Sequence, residues 1–127
     1  MPTVMVVDDT AVIREAVAKL LRREGFQTIC AANGKEALHA LTRSEPDLVL
    51  LDIMMPEMDG MECLEQLRSD PKWKSTPVIM MTALSDDENQ RRATQLGASD
   101  YMVKAKFTVE QMLDRIRRLI GDKQLPN

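Results

Sequence analysis

Three short runs of aliphatic residues constrain the fold of this 127-residue chain more than any other feature. The runs are residues 4–7, 48–51 and 78–81, and a polar side chain directly follows each of them. Continuous aliphatic runs without polar alternation are typical of strands that are buried on both faces of a sheet. Because such a sheet must be covered by helices on both sides, the sequence predicts an α/β fold with a parallel sheet.

Two weaker strands and five helices complete the predicted order of elements. Residues 27–31 form a more polar strand and residues 100–103 a short one, so we place both at the edges of the sheet. Right-handed crossovers then give a doubly wound, five-stranded parallel sheet in the order 2-1-3-4-5, with helices on both faces. Four helices have a capping residue followed three positions later by Glu or Gln, and these caps are Asn33, Asp59, Ser85 and Thr108.

The helices differ in how much apolar surface they offer to the sheet. The fourth helix is very polar and has only Ala93 and Leu96 to anchor it, which suits an element that moves. The first and last helices carry full apolar stripes, for which we predict the inward residues Val12, Ile13, Ala16, Val17, Leu20 and Leu21, and Val109, Met112, Leu113, Ile116 and Ile120.

Composition is that of a single soluble domain. Hydrophobic residues make up 44% of the chain and charged residues 29%. The net charge of −3 argues against a nucleic-acid-binding surface, and no apolar stretch is long enough to span a membrane. We expect a cytoplasmic protein with residues 1–121 as one domain and residues 122–127 as a tail or the start of a linker. Cys30 and Cys63 are expected to be buried free thiols.

Three carboxylates are predicted to meet at one edge of the sheet. Asp8 and Asp9 follow the first strand and Asp52 ends the third, so all three lie at the switch point of the strand order, where such sheets bind ligands. Clustered carboxylates repel one another unless a cation compensates, and oxygen ligands without His or Cys favour Mg²⁺. The alternative is that Asp9 caps a helix and Asp52 begins a turn, which does not explain why three acids share one edge.

Two further strand ends supply a hydroxyl and a cation. Thr82 ends the fourth strand, and Lys104 follows the fifth. A carboxylate nucleophile, a metal ion, a hydroxyl donor and a cation are the groups that phosphoryl transfer to an aspartate requires. We therefore predict that Asp52 is a nucleophile that accepts a phosphoryl group.

The chain resembles the receiver domain of bacterial response regulators over essentially its whole length, and is similar in length to the single-domain chemotaxis regulator. The resemblance rests on residues 46–60, on Asp8-Asp9, on Thr82-Ala83 and on Lys104. It implies a flavodoxin-like (βα)₅ fold in a two-component signalling protein. It also implies that the protein catalyses only its own phosphorylation and dephosphorylation and turns over no external substrate.

The resemblance implies a role for each residue of the acidic edge. Asp52 is implied as the phosphoacceptor and as a metal ligand, and Asp9 as a direct Mg²⁺ ligand. Asp8 is implied to act on the metal largely through water, and the backbone carbonyl of Met54 to be a further ligand.

The remaining roles concern activation and partners. The resemblance implies that Lys104 pairs with one phosphoryl oxygen, that Thr82 moves to hydrogen-bond another and that Tyr101 turns inward behind it. The surface of the fourth helix, fifth strand and fifth helix would then change. The implied partners are a sensor histidine kinase or phosphotransfer protein and a downstream protein or output domain. Phosphorylation-dependent homodimerisation is left open.

The sequence departs from the family pattern after Lys104, where Ala105 stands in place of the usual proline. A cis bond before Ala would cost about 3–4 kcal/mol, so we expect a trans bond or a re-routed loop. Phe107 comes one residue later than in the commonest pattern, which indicates a longer loop and makes Lys106 a rival for the role of Lys104. Lys104 is favoured because it follows the strand directly.

Two other functions compete with a phosphorylation switch. A pure interaction module would keep the fold without using phosphorylation, and only the altered lysine loop supports it. An aspartate-nucleophile phosphatase would need an acid–base Asp two residues after Asp52, where this chain has Met54. His39 is the only histidine, and we expect it at the surface, because a phosphorelay histidine would lie on a four-helix bundle.

Overall fold

The computed structural model describes residues 2–83 and 87–121, in which five strands alternate with five helices. The strands are β1 (Thr3–Val7), β2 (Gln27–Ala31), β3 (Leu48–Asp52), β4 (Val78–Thr82) and β5 (Asp100–Val103). The helices are α1 (Ala11–Arg23), α2 (Gly34–Ala40), α3 (Gly60–Ser69), α4 (Asp87–Gln95) and α5 (Val109–Ile120). A single 3₁₀ turn, Lys104–Lys106, follows β5.

The strands form one parallel sheet in the order β2-β1-β3-β4-β5, so the predicted topology is confirmed. Every residue of β3 and β4 is buried, whereas β2 and β5 are only partly buried. The strands with continuous aliphatic sequence therefore occupy the centre, where helices cover both faces. The reversal of strand order falls between β1 and β3, so the ends of these two strands lie side by side.

Hydrophobic side chains form one core on each face of the sheet. The first core lies under α2, α3 and α4, where Leu51 packs with Leu64. The second lies under α1 and α5, where Leu50 packs with Ile116. Alternate residues of the same strand serve opposite cores, as the period of two in a strand requires.

Three predicted helix caps form. The side chains of Asn33 and Asp59 accept hydrogen bonds from the backbone N–H of Glu36 and Glu62. Thr108 and Gln111 exchange two bonds in a reciprocal capping box at the start of α5. The predicted cap at Ser85 lies outside the described residues.

Four predicted inward residues are wrong, because Val12 is 79% exposed, Val109 is 49% exposed, and Ile13 and Ala16 are also exposed. Val12, Ile13 and Val109 lie in the first turn of their helices. Helix α1 packs mainly on β1 and β2, and among its residues only Ala18 and Leu21 are fully buried. An apolar cleft of about 660 Å³ lies between α1 and α5, and part of the predicted stripe of α1 lines it, at Ile13, Ala16, Val17 and Leu20.

One cysteine is buried and the other is exposed. Cys63 is a buried free thiol, as predicted, and burial raises its pKa to about 12. Cys30 is exposed, which corrects the prediction, because it lies on β2 at the edge of the sheet. His39 is exposed on α2, as expected. Within residues 2–83 and 87–121, no helix is both long and apolar enough to cross a membrane.

Candidate functional site

The carboxylates of Asp8, Asp9 and Asp52 meet where β1 and β3 end. One oxygen from each of the three lies within 4.8 Å of the other two. Asp8 and Asp52 are each only 5% exposed, whereas Asp9 is exposed at the mouth of the site. The predicted acidic cluster is therefore present as a compact group with one open side.

Every polar group of Asp8 has a hydrogen-bond partner. Its backbone N–H continues the β1–β2 ladder to Ala31, and its carbonyl accepts a 2.7 Å bond from the Arg14 guanidinium. One carboxylate oxygen accepts from the N–H of Thr10 at 2.9 Å, and the other accepts from Lys104 Nζ at 2.7 Å. These bonds fix the turn that carries both acids into α1.

Sequence reasoning missed the contribution of Arg14, whose guanidinium holds the Asp8 carbonyl. The available signal was weak: a cation in the first turn of α1 lies five and six residues beyond an acidic pair, close enough for its long side chain to reach back to the start of the helix. A surface arginine at the same position has the same sequence appearance. Only the folded turn distinguishes the two.

Lys104 lies across the site from α1. Its Nζ is 2.7 Å from Asp8 Oδ2 and 3.5 Å from Asp52 Oδ2, and its side chain is mostly buried. The 3₁₀ turn begins at Lys104 itself, and its other lysine, Lys106, is exposed. No peptide bond in the described ranges is cis, so the expected trans bond before Ala105 is present.

The electrostatics of the site raise the pKa of Asp52 towards the neutral range. Burial raises the pKa of the Asp52 carboxyl from its ordinary value of 3.8 to about 6. The Lys104 ammonium lowers that pKa, and the carboxylates of Asp8 and Asp9 raise it. A cation bound among the three acids would favour the ionised, nucleophilic form of Asp52.

The segment after Asp52 turns sharply and approaches the backbone of the site. The N–H of Gly60 donates to the carbonyl of Ile53 at 2.8 Å. A Cβ at position 60 would overlap the carbonyl oxygen of Asp52 and lie 2.8 Å from Ile53 Cα, so glycine is required there. Glu57 has a positive φ of 65° in this loop, and the side chain of Met54 is exposed at the rim.

Thr82 and Tyr101 lie on the neighbouring strands. Thr82 ends β4 and is 1% exposed, and the register pairs Asp52 with Met81, so Thr82 is one residue beyond the level of Asp52. Tyr101 is half-buried in β5 opposite Met80 and packs against the core under α4. Thr82 thus lies beside the acidic edge, and Tyr101 packs in the core to which Ala93 of α4 also belongs.

The donor set fits a hard divalent cation. Carboxylates from two strand ends converge, one side of the cluster is open to solvent, and the described part of the chain brings no His or Cys into the group. Mg²⁺ prefers oxygen ligands and retains several waters, which suits a site with few protein ligands and an open side. Asp8, Asp9 and Asp52 are the side chains that would hold it.

Comparison with protein families places nearly the whole chain in one group. Residues 4–117 match the model of the response regulator receiver domain. The chain is 43% identical to the regulatory protein AtoC of Escherichia coli, with 80% of this chain and 22% of that protein covered. It is 37% identical to the transcriptional regulatory protein CrdR of Helicobacter pylori, with 94% and 55% covered. The chain thus spans about half the length, or less, of these curated relatives.

Solved structures show the same similarity. The chemotaxis protein CheY4 of Vibrio cholerae superposes with a TM-score of 0.88 at 32% identity, with 94% of this chain and 98% of that chain covered. The response regulator TrrA of Thermotoga maritima, solved in complex with Mg²⁺-BeF, gives a TM-score of 0.82 at 34% identity, with 94% and 99% covered.

Proposed function

This chain belongs to the response regulator receiver domain family of two-component systems, and from that membership we propose that Asp52 is its phosphorylation site. One observation carries the proposal: the buried Asp52 carboxylate ends β3 within ligand distance of two other carboxylates and 3.5 Å from the Lys104 ammonium. The Asp52 carboxylate thus has the proposed metal site of the three acids on one side and the Lys104 ammonium on the other. These are the two charges that a transferring phosphoryl group needs.

The proposed reaction transfers phosphate from a phosphohistidine to Asp52. A carboxylate oxygen of Asp52 attacks the phosphorus atom, the phosphorus–nitrogen bond breaks, and the leaving imidazole takes up a proton. The product is an acyl phosphate on Asp52, and attack by water returns the carboxylate and inorganic phosphate. We propose that the protein catalyses these two steps on itself and turns over no external substrate.

The protein groups act mainly by position and charge. Mg²⁺ bound by the acids would neutralise phosphoryl oxygens during transfer. We propose that Asp9 binds the metal directly, that Asp8 acts largely through water, and that the Met54 carbonyl joins Asp52 as a further ligand. Lys104 then pairs with another phosphoryl oxygen. Because Lys104 is already held beside Asp8 and Asp52, little reorganisation is needed.

The proposed switch runs from Thr82 to the partner surface. The Thr82 hydroxyl moves to hydrogen-bond a phosphoryl oxygen, and Tyr101 turns further inward behind it. The position of Thr82 beside the acidic edge, and the packing of Tyr101 in the core shared with Ala93 of α4, support this route. Helix α4 has a single fully buried residue, Ala93, so a small change beneath it alters the α4-β5-α5 surface.

We propose that the phosphodonor docks on an apolar rim around the acidic edge. The large hydrophobic side chains exposed in the described residues lie at this end of the sheet, and they are Val12, Ile13, Met54 and Val109. Exposed apolar groups around a polar centre mark protein-binding surfaces. The partner would be a histidine kinase or phosphotransfer protein.

The surroundings of the domain are also proposals. We propose that residues 1–121 are the receiver domain, with 122–127 a tail or linker, and that the protein acts in the cytoplasm. Its output passes to a downstream protein or output domain. Several curated relatives are transcriptional regulators about twice as long as this chain, which supports an output domain or partner that regulates transcription.

The experiment is incubation with acetyl phosphate and Mg²⁺, followed by intact-mass analysis. We expect a phosphoryl adduct that hydroxylamine removes and that Asp52→Asn abolishes. Asp59→Asn is the matched control, because Asn also caps α3 and the change lies in the same loop. If neither acetyl phosphate nor the cognate kinase gives an adduct, the chain is a phosphorylation-independent interaction module.

A further inference from the structure

Arg68, at the end of α3, joins three segments through its guanidinium group. Its Nε donates to the carbonyl of Gly97 at 2.9 Å. Its Nη1 donates to the carbonyls of Trp73 and Thr76, at 3.1 and 2.8 Å. Within the described ranges Arg68 has no carboxylate partner. Its charge is compensated by backbone carbonyls, which are the oxygens that the ends of helices and turns leave available.

These contacts tie the end of α4 to the segment between α3 and β4. Trp73 and Thr76 belong to the segment between α3 and β4, whereas Gly97 follows α4. The guanidinium therefore bridges two connections that are separate in the chain. A cation at this position also interacts favourably with the carboxyl end of α4.

The chain after α4 is shaped to accept this contact. Gly97 has a φ of +97°, and its N–H and that of Ala98 bond back to the carbonyls of Thr94 and Ala93. This is a Schellman ending, in which the carbonyl of Gly97 stays available to Arg68. A Cβ at position 97 would lie 3.1 Å from Arg68 Nε, so the glycine also allows the close approach.

Packing of α4 is concentrated at the same end. Ala93 is its one fully buried residue, and Leu96 and Ala98 pack against the same core just beyond it. The first turn of α4, at residues 87–90, has no fully buried residue. Apolar contact and the Arg68 contacts thus coincide at the carboxyl end of the helix.

We propose that Arg68 holds the carboxyl end of α4 as a fixed pivot, so that the response to phosphorylation is confined to the amino-terminal half of the helix. This inference rests on the proposed function, since it concerns the surface that the phosphorylated Asp52 would change. Arg68 touches neither the acids nor Lys104 and acts only through the position of α4. Loss of the Arg68 contacts would let the whole of α4 move. The α4 surfaces of the phosphorylated and unphosphorylated protein would then differ less sharply.

Amide hydrogen exchange of the unphosphorylated protein tests whether Arg68 holds the carboxyl end of α4. In Arg68→Gln we expect exchange at Leu96, Gly97 and Ala98 to accelerate by about tenfold, with α5 amides unchanged. Arg91→Gln is the matched control, because it makes the same charge change on the exposed face of α4. Arg68→Lys keeps the cation but cannot donate in the same fork, so it should fall between Gln and wild type. Unchanged exchange in Arg68→Gln would overturn the proposal, as would acceleration spread evenly over the protein.

Addition of Mg²⁺ and fluoroberyllate, an analogue of the phosphoryl group, tests the pivot. In the wild type, exchange should change in residues 88–91 and stay constant in residues 96–98, whereas in Arg68→Gln both segments should change. An equal change of both segments in the wild type would overturn the pivot and leave the switch intact. If α4 did not respond at all, both the pivot and the proposed switch surface would be wrong, while the Asp52 adduct would still be decided by mass.

Discussion

Removal of the Asp52 carboxylate should stabilise the protein at neutral pH. Burial, with Asp8 and Asp9, raises the pKa of Asp52 to about 6 in the fold, against 3.8 as the ordinary value. Each pKa unit corresponds to about 1.4 kcal/mol, so the ionised carboxylate costs about 3 kcal/mol of folding free energy above pH 6. Asn is nearly isosteric and carries no charge, and Lys104 keeps its 2.7 Å partner Asp8.

The pH dependence gives the prediction its sharpest form. Because the pKa is higher in the folded state than in the unfolded chain, the contribution of Asp52 to stability is complete below pH 3.8 and is lost as pH rises through 6. The stability gain of Asp52→Asn should therefore be about 3 kcal/mol at pH 7.5, about half of that at pH 5, and near zero below the ordinary pKa.

Urea unfolding at several pH values, in buffer without divalent cations, measures this gain. Asp114→Asn is the control, because Asp114 lies on exposed α5 surface and pairs only with Arg118 one turn later, so a change within about 0.5 kcal/mol is expected. Mg²⁺ should stabilise the wild type more than Asp52→Asn, so that adding Mg²⁺ reduces the difference in unfolding free energy between the two proteins. The reasoning is refuted if Asp52→Asn is no more stable than the wild type at pH 7.5, or if the gain is independent of pH.

Three further substitutions test the parts that surround Asp52. Lys104→Ala should slow phosphorylation by acetyl phosphate on the order of a hundredfold, because it removes a preorganised cation. Lys106→Ala should leave the rate unchanged. If instead only Lys106→Ala slowed the reaction, the role of Lys104 would belong to Lys106. Gly60→Ala should destabilise the fold by about 1–3 kcal/mol in urea unfolding, since its Cβ overlaps the Asp52 carbonyl; a neutral effect would mean that the loop yields easily. Asp59→Ala should cost about 1 kcal/mol through the lost cap of α3, whereas Asp59→Asn should retain the cap, so equal losses would contradict the assignment.

The strand order was predictable because burial leaves a direct trace in composition. A strand covered on both faces must be apolar at every position, and an edge strand need not be. The contrast between β3 and β2 therefore fixed their places before any contact was known. Helix caps were predictable for a similar reason: a cap joins residues three apart, so its signal is local.

The errors arose where burial depends on a distant neighbour. The apolar spacing of Val12 and Val109 indicates one face of a helix, but not whether the sheet extends far enough to cover the first turn. Cys30 is exposed because its strand is at the edge, although its neighbours in sequence are apolar. Arg68 gave no signal at all, since an arginine on the polar side of α3 looks the same whether it faces water or three carbonyls.

The choice between Lys104 and Lys106 shows how the fold accommodates Ala105 in place of the usual proline. Without proline after Lys104, the chain makes a 3₁₀ turn, in which only side chains three residues apart point the same way, so Lys104 and Lys106, two residues apart, point in different directions around the axis of the turn. The turn starts directly after β5, so Lys104 is two residues beyond Met102, which is level with Asp52, whereas Lys106 is four residues beyond it. Strand register therefore decides which cation reaches Asp8 and Asp52, and the substitution of proline changes the path of the chain after the cation has been placed.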